Sequence, residues 1–244
     1  MIPYCIGGGT SILLGKIGFA CNQIISAKII TADGRLITAS SENEPDLLWA
    51  IRGAGQLFGV VWELVLKTYP LSILGSPTGA HWAGQFIYPL ESAERVCTTL
   101  EDIMKNEIHD TAGILMLMAP PPAFQPVLAV LTHYIGDPQN GPSAFRELAD
   151  LQPMMSTSST PLWPNISDDM DYACAKGDFK SFNLVGVLKF RTEDFLKVVD
   201  TYKELLTACP DAVATGYAFE WHTGTSKLPK QDSAFSHQDI MLWM

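Results

Sequence analysis

Alternation of apolar and polar residues near the start of the chain predicts a small antiparallel sheet. Three runs have the strand pattern: 23–31, 35–39 and 59–68. Asp33-Gly34, between the first two, is a dipeptide that favours a tight hairpin turn. Pro45 opens a predicted helix over residues 46–52, because proline is favoured in the first helical turn. These elements predict a first domain over residues 1–70.

Beyond residue 77 the pattern changes to strands that alternate with amphipathic helices. Predicted strands cover residues 79–88, 112–119, 126–135, 182–190, 212–222 and 239–243. Predicted helices cover residues 90–106, 142–151 and 192–208, and residues 152–181 are predicted to be irregular. Thr192 is suited to cap the last helix, in which apolar residues recur at helical spacing. The order predicts an α+β fold whose second domain, residues 78–244, is an antiparallel sheet with helices on one face.

Side chains alternate between the two faces of a strand, which sorts the candidate site residues into two sets. The aromatic set is Trp82, Tyr217 and Trp221, and the polar set is His81, Gln85, His133, Glu220 and His222. The polar set is interspersed with alanines, a composition that favours a pocket for a small hydrophobic ligand. The alternative is that these polar groups lie at strand ends in water.

In such a pocket, three residues are candidates for an acid or base: Glu220, His222 and His81. Gln85 and His133 are expected to bind substrate. The aromatic residues would shape the pocket if their face is the open one. The sequence does not decide which face packs on the helices.

Composition excludes several classes of partner. The chain has 244 residues, 47% of them hydrophobic, and a formal net charge of -10. An acidic surface disfavours nucleic acid and anionic membranes. The N-terminal sequence has no signal-peptide pattern, and the five cysteines are widely spaced, so a cytoplasmic protein with reduced thiols is expected. The five histidines, which include His109, form no HExxH or similar motif, so no metal is predicted.

Three segments carry a family resemblance. They are GGGTSILLGKIG at 7–18, FACNQIISAKIITADGRLITAS at 19–40 and PDLLWAIRGAGQLFGVV at 45–61. In order and spacing they resemble the second half of the FAD-binding domain of FAD-linked oxidases of the berberine-bridge-enzyme type, most closely the fungal members of secondary metabolism. AFSHQD at 234–239, which contains His237, is similar to a motif near the end of the family's substrate sheet.

The resemblance implies which residues would contact a flavin: Gly7, Gly8, Gly9, Gly53, Gly55, Phe58 and Gly59. It also implies that His237 contributes to the substrate side and that Glu220 matches an acidic position of fungal members. Three positions depart from the family pattern: Ser11, Asn22 and Leu57. Relative to that pattern, the sequence begins after the segment that holds the pyrophosphate and stops before the segment that returns to the FAD domain.

A pyrophosphate needs converging backbone N–H donors, so this comparison favours an enzyme without a cofactor, while FAD stays open as the alternative. The favoured function is a non-redox cyclisation, isomerisation, dehydration or cycloaddition of a small hydrophobic intermediate. The alternatives are an FAD-dependent oxidoreductase and a non-catalytic, metabolite-binding relic. A homodimer is expected, because pairing would bury apolar surface.

Overall fold

The computed structural model describes residues 1–105, 111–168, 181–223, 228–240 and 242–244. Two compact units result: Met1–Pro70 with the described part of 224–239, and Leu71–Thr223 with the described part of 240–244. The sequence assigned residues 224–239 to the second domain, whereas the structure joins them to the first unit. His109 and Cys174 lie outside the described residues, and the other four cysteines are free thiols.

The first unit is built on a three-stranded antiparallel sheet in the order β2-β1-β3. Its strands are β1 (Ile24–Ile30), β2 (Leu36–Ser40) and β3 (Val60–Leu66), as the sequence predicted. Its helices are α1 (Ile2–Ile6), α2 (Leu14–Ile17) and α3 (Pro45–Ala54). Ile24 and Ile29 of β1 are fully buried together with Ile51 of α3. The guanidinium of Arg52 donates from Nε and Nη2 to the carbonyl of Ile24, which fixes the end of α3 against β1.

The second unit is built on a seven-stranded sheet in the order β7-β4-β6-β5-β9-β10-β8. Its strands are β4 (Trp82–Pro89), β5 (Thr111–Met118), β6 (Val127–Tyr134), β7 (Met155–Ser159), β8 (Gly186–Val187), β9 (Tyr217–His222) and β10 (Leu242–Trp243). Its helices are α4 (Ala93–Lys105), α5 (Gly141–Ala144), α6 (Arg146–Asp150) and α7 (Thr192–Ala208). All pairings between these strands are antiparallel. The predicted α+β class is therefore confirmed.

The core of the second unit lies between one sheet face and the helices. Buried side chains of the sheet pack there, namely Trp82, Phe86, Tyr88, Leu115, Leu117, Leu128, Val130, Phe219 and Trp221. They meet buried residues of α4 and α7, including Leu100 and Tyr202. The hydroxyl of Tyr88 donates to the carbonyl of Leu148 at 2.6 Å, which ties the sheet to α6. Burying each large side chain contributes about 1.5–3 kcal/mol, so this face is committed to the core.

Several predicted elements are shorter than the sequence suggested. Residues 210–214 form a 3-10 helix, so the predicted strand 212–222 begins only at Tyr217. Pro210 has no N–H for a sheet ladder and favours a helical start. The predicted strand 182–190 is reduced to β8, and the predicted helix 142–151 is divided into α5 and α6.

Two further predictions are corrected. Residues 155–159 form β7 although 152–181 was predicted to be irregular. Thr192 does not cap its own helix. Its backbone N–H and its hydroxyl both donate to Oε2 of Glu101, at 3.0 and 2.8 Å, and so join the start of α7 to α4.

Candidate active site on the open sheet face

The sheet face opposite the helices carries the polar set predicted from the sequence. In the antiparallel register, Ala83 pairs with His133, His133 with Ala112, and Ala112 with His222. The next row on the same face pairs Gln85 with Leu131, Leu131 with Ile114, and Ile114 with Glu220. Paired residues have Cβ atoms about 4.5–5.5 Å apart. The structure thus brings the polar residues of three strands onto one surface.

Glu220 and His222 form a contact two residues apart on β9. Nε2 of His222 lies 2.9 Å from Oε1 of Glu220, within hydrogen-bond distance. The side chain of His222 is 1% exposed, whereas that of Glu220 is 32% exposed. The carboxylate therefore reaches the surface while the imidazole is enclosed beneath it. An N–H donated by the imidazole holds one carboxylate oxygen in place.

His81 and His133 form a second polar pair. Nδ1 of His133 lies 3.3 Å from Nε2 of His81, and the tautomers decide which nitrogen donates. His81 is fully buried. Its backbone N–H donates to the carbonyl of Pro161, which anchors the start of β4 to the segment after β7. Burial, reinforced by His81 and His222, lowers the pKa of His133 to about 4. The His133 imidazole is therefore neutral near pH 7.

A cavity of about 200 Å³ opens beside this histidine pair, between β6, β4 and β7. Gln85, Leu131 and His133 line it, together with Thr157 and Ser159 of β7. The sequence predicted the first and third of these as binding residues. It missed the two hydroxyl residues because a short Ser/Thr run is also typical of a loop. One weak signal was present, because Thr157 is β-branched and β-branched residues favour strands.

The larger cavity of the same unit, about 510 Å³, lies elsewhere. Asp102 and Ile103 of α4, Tyr134 and Arg146 are among its lining residues. None of the predicted site residues contributes to it. Its wall is formed by helices and strand ends rather than by the open sheet face, so the chemistry of the polar set does not extend there.

The aromatic set does not lie at the open face. Trp82 and Trp221 are buried in the core, and Tyr217 packs against it, with its ring edge-on to that of Tyr202. The aromatic face is thus the closed one, and the condition under which these three residues would shape a pocket is not met. The reason is geometric, because their β-strand positions alternate with the polar set.

His237 lies in the first unit. Its ring is edge-on to that of Phe235, with centroids 5.8 Å apart. The backbone N–H of Phe235 donates to the carbonyl of Arg52, and its ring packs beside that of Phe19. The AFSHQD segment therefore packs within the first unit and is not part of the described strands of the substrate sheet.

Phe235 also occupies the space beside two of the glycines. A Cβ placed on Gly8 would lie 2.6 Å from the ring of Phe235, and one on Gly53 would lie 2.6 Å from its backbone nitrogen. Both glycines have positive φ, 127° and 115°. Only glycine satisfies both the conformation and the close approach.

The remaining glycines of the motif are crowded by the same unit. A Cβ on Gly9 would lie 2.7 Å from Ala20, and one on Gly55 would lie 2.8 Å from Ile6. One on Gly59 would lie 2.2 Å from the carbonyl oxygen of Ile30. Gly7 would meet the carbonyl of Pro3 at 3.3 Å. Internal packing thus accounts for every glycine of the predicted flavin set, while Phe58 beside them is 44% exposed.

Comparison with known proteins shows which proteins this chain is similar to. No protein-family model matches the chain. It is 26% identical over 233 residues to the FAD-linked oxidoreductase hasG of Aspergillus fumigatus, a match that covers 91% of this chain and 47% of that protein. It is 25% identical over 252 residues to the FAD-linked oxidoreductase OXR1 of Pyricularia oryzae, covering 100% and 48%. The chain is related to the fungal FAD-linked oxidoreductases.

The chain spans about half the length of these FAD-linked oxidoreductases. A shorter match, 31% identical over 111 residues, is to the bifunctional solanapyrone synthase of Alternaria solani and covers 45% of this chain and 20% of that protein. Among solved structures, chitooligosaccharide oxidase matches 99% of this chain and 52% of its own, with 18% identity and a TM-score of 0.71. The BBE-like 1 protein of Physcomitrella patens matches 98% and 53%, with 14% identity and a TM-score of 0.73. The structures establish the shared fold.

The relationship to FAD-linked oxidoreductases implies FAD, and the described residues would have to hold it. The glycines of the predicted flavin set direct their missing side chains into the protein's own atoms. The positions that their Cβ atoms would take are occupied by the protein, so no space for a ligand is left there. The missing side chains of these glycines therefore leave no cradle for the dinucleotide.

Among the residues with described positions, no helix is both long and apolar enough to cross a membrane. Over the same residues, no cluster of three His, Cys, Asp or Glu side chains has the geometry to hold a metal ion.

The crowding at Gly53 leads to a prediction about stability. Replacing Gly53 by alanine is expected to destabilise the protein by about 2–5 kcal/mol, from a positive φ combined with overpacking against Phe235. Gly34 is a matched control, since it also has positive φ but has nothing within 4 Å of its Cβ position. Its replacement by alanine is expected to cost about 1 kcal/mol. Urea unfolding followed by circular dichroism measures both, and equal costs would contradict the packing explanation.

The lowered pKa of His133 leads to a prediction about pH. An unfolded histidine has a pKa of about 6.5, so between pH 6.5 and 4 the unfolded chain binds a proton that the folded protein does not. The contribution of His133 to the free energy of unfolding is therefore complete above about pH 6.5, falls as the pH is lowered, and levels off below about pH 4. The loss is on the order of 2–3 kcal/mol.

Urea unfolding at pH 7.5 and 4.5 tests this on the wild type and on His133→Gln. The variant is expected to lose less stability than the wild type between the two pH values, because it lacks the titrating group. An equal loss in both proteins would show that the pH dependence arises from other residues.

Proposed function

We propose that the open sheet face binds a small, mostly apolar metabolite and that Glu220 transfers a proton to or from it in a non-redox reaction. The reaction class is a cyclisation, isomerisation, dehydration or cycloaddition of a fungal secondary metabolite. The observation that carries the proposal is the contact of 2.9 Å between Glu220 and His222 on the sheet face that also carries Ala112, Ile114 and Leu131. Proton transfer of this kind consumes no oxidant and needs no cofactor.

The environment of Glu220 suits it for acid–base work. Its partners on the two neighbouring strands are Ile114 of β5 and Trp243 of β10, and Ala218 precedes it on the same face. Its side chain is two-thirds buried, and His222 holds one of its carboxylate oxygens. The other oxygen is left to meet a C–H or O–H of a bound metabolite. A positioned acid or base contributes about 10²- to 10⁴-fold in rate.

His222 acts in this proposal as a positioning residue. Its imidazole lies beneath the carboxylate and is almost completely buried, so it does not reach substrate directly. By donating from Nε2 it fixes the direction of the carboxylate. Proton abstraction then leaves the proton on the free oxygen of Glu220, from which it returns to another atom of the same metabolite.

A second pair of histidines complements Glu220 and His222. His133 offers a hydrogen bond without a positive charge, because burial lowers its pKa. His133 lies one row away from Glu220 and two strands across the sheet, which suits it to hold a carbonyl or hydroxyl of the same metabolite. Orientation of that group relative to the base is itself a source of rate acceleration.

An FAD-dependent oxidation is the second candidate. It is favoured by the names of hasG and OXR1, which are both FAD-linked oxidoreductases. The two candidates differ in one observable. After incubation with FAD and removal of excess cofactor, an FAD enzyme retains the flavin absorption band near 450 nm, on the order of one flavin per chain, whereas the non-redox enzyme stays colourless.

Substitution of Glu220 tests the proposed proton transfer. In D₂O, the wild type is expected to exchange a proton next to the carbonyl of enolisable ketones or lactones from a small-molecule library, detected as a mass increase. Glu220→Gln keeps the size of the side chain but removes the base, so exchange should fall by about 10²- to 10⁴-fold. His222→Gln should reduce it less and change its pH profile, since Gln also donates a hydrogen bond.

Glu91→Gln is the matched control, because Glu91 is an exposed carboxylate of the same unit on the helix side of the sheet. It should exchange at the wild-type rate. Wild-type exchange by Glu220→Gln, in a protein that folds normally by circular dichroism, would refute the role of Glu220.

A further inference from the structure

The cavity beside His133 exists because one small residue separates two polar ones. Ala83 lies in a row between His133 on β6 and Ser159 on β7. Ala83 is one of the residues that line the 200 Å³ cavity, and its side chain is only a methyl group. The neighbouring row places Gln85 directly opposite Thr157. Two strands thus present hydrogen-bonding groups on either side of a gap.

The lining combines donors and acceptors with no net charge. Gln85, Thr157 and Ser159 each provide at least one donor and one acceptor. None of the described residues that line the cavity is a Lys, Arg, Asp or Glu. The His133 imidazole is neutral near pH 7, as shown above. An ionised group placed here would lose part of its hydration without gaining a counter-charge, which is unfavourable.

The size of the cavity limits what enters. A protein cavity of about 150 Å³ accommodates a benzene ring. The cavity of about 200 Å³ is therefore large enough for one six-membered ring with a polar substituent, and too small for a fused ring system. Leu131 and Ile166 supply apolar contacts for the frame of such a ring.

We infer that this cavity is a subsite for a single, uncharged ring that carries a hydroxyl group, held between Gln85 and Thr157 on one row and His133 and Ser159 on the other. The subsite excludes carboxylates, phosphates and ammonium groups. The shared chemistry is that of an aryl alcohol or of a pyranose. The inference rests on the proposed function, since it names the part of the metabolite that the open face holds while Glu220 acts on another part.

Binding of matched ring compounds tests the inference directly. Benzyl alcohol, benzoate and benzylammonium share one ring and differ in charge, and methyl glucopyranoside represents the sugar ring. Saturation-transfer NMR at pH 7.5 is expected to show binding of benzyl alcohol or of methyl glucopyranoside, with a dissociation constant at least tenfold lower than for either ion. The neutral ring that binds more tightly identifies the source.

Two variants place the binding in this cavity. Thr157→Val removes a hydroxyl without changing the shape and should weaken binding of the neutral ring about tenfold. Its control is Ser156→Ala, on the opposite face of the same strand. Ala83→Leu should fill the gap and abolish binding, and its control is Ala149→Leu on the exposed side of α6. Because Thr157 lies on an exposed edge strand, its variant should fold even if Ala83→Leu does not.

The outcomes separate this inference from the proposed function. Equal or tighter binding of either ion, absence of binding by both neutral rings, or wild-type binding by Thr157→Val would overturn the subsite. Glu220→Gln is expected to bind the neutral ring as the wild type does while losing proton exchange. If Glu220→Gln keeps full exchange but Thr157→Val loses binding, the proposed function fails and the subsite stands.

Discussion

Burial of the aromatic face of the seven-stranded sheet beneath α4 and α7 determines the rest of the second unit. Trp221, Tyr88 and Tyr202 are almost fully buried there. Successive residues of a strand point to opposite faces, so the burial of Phe219 and Trp221 forces Glu220 and His222 to the other side. A shift of one residue would expose the aromatic rings and bury the carboxylate, which no partner in the core would offset. The position of the candidate site is thus fixed by the packing of its neighbours.

The sequence predicted the elements in which the spacing of apolar residues agrees with the turn or helix-start residues beside them. The hairpin of β1 and β2 follows from Asp33-Gly34, and α7 follows from apolar residues at helical spacing. The polar surface of the sheet was also predictable, because alternation alone places Glu220 and His222 on one face. Which face is open was not predictable, since that depends on where the helices pack, a property of the whole unit rather than of any strand.

Local patterns failed where tertiary contacts override them. Residues 155–159 pair with β4 along five registered positions and so become a strand despite a serine-rich composition. Thr192 has the residue type of a helix cap, but it is the first residue of α7 instead, and its backbone N–H and hydroxyl donate to the carboxylate of Glu101. The segment at 234–239 resembles a substrate-sheet motif, yet its phenylalanine fills space beside Gly8 and Gly53 in the first unit. In each case the deciding partner is remote in sequence.

A glycine in such a motif has two explanations, access for a ligand or internal packing. They differ in what lies beside the missing side chain. A glycine that admits a ligand leaves open space at its Cβ position, whereas a glycine required by packing meets protein atoms there. At Gly53 and Gly59 these atoms are backbone, 2.6 and 2.2 Å away, which cannot move aside as a flexible side chain would. A glycine motif of this kind indicates shared ancestry of the fold, because the backbone path itself requires it. The chemistry of the present chain therefore has to come from polar side chains of the open sheet face. These are Glu220 with the buried imidazole of His222, and the half-buried His133 with the buried His81 beside an uncharged cavity.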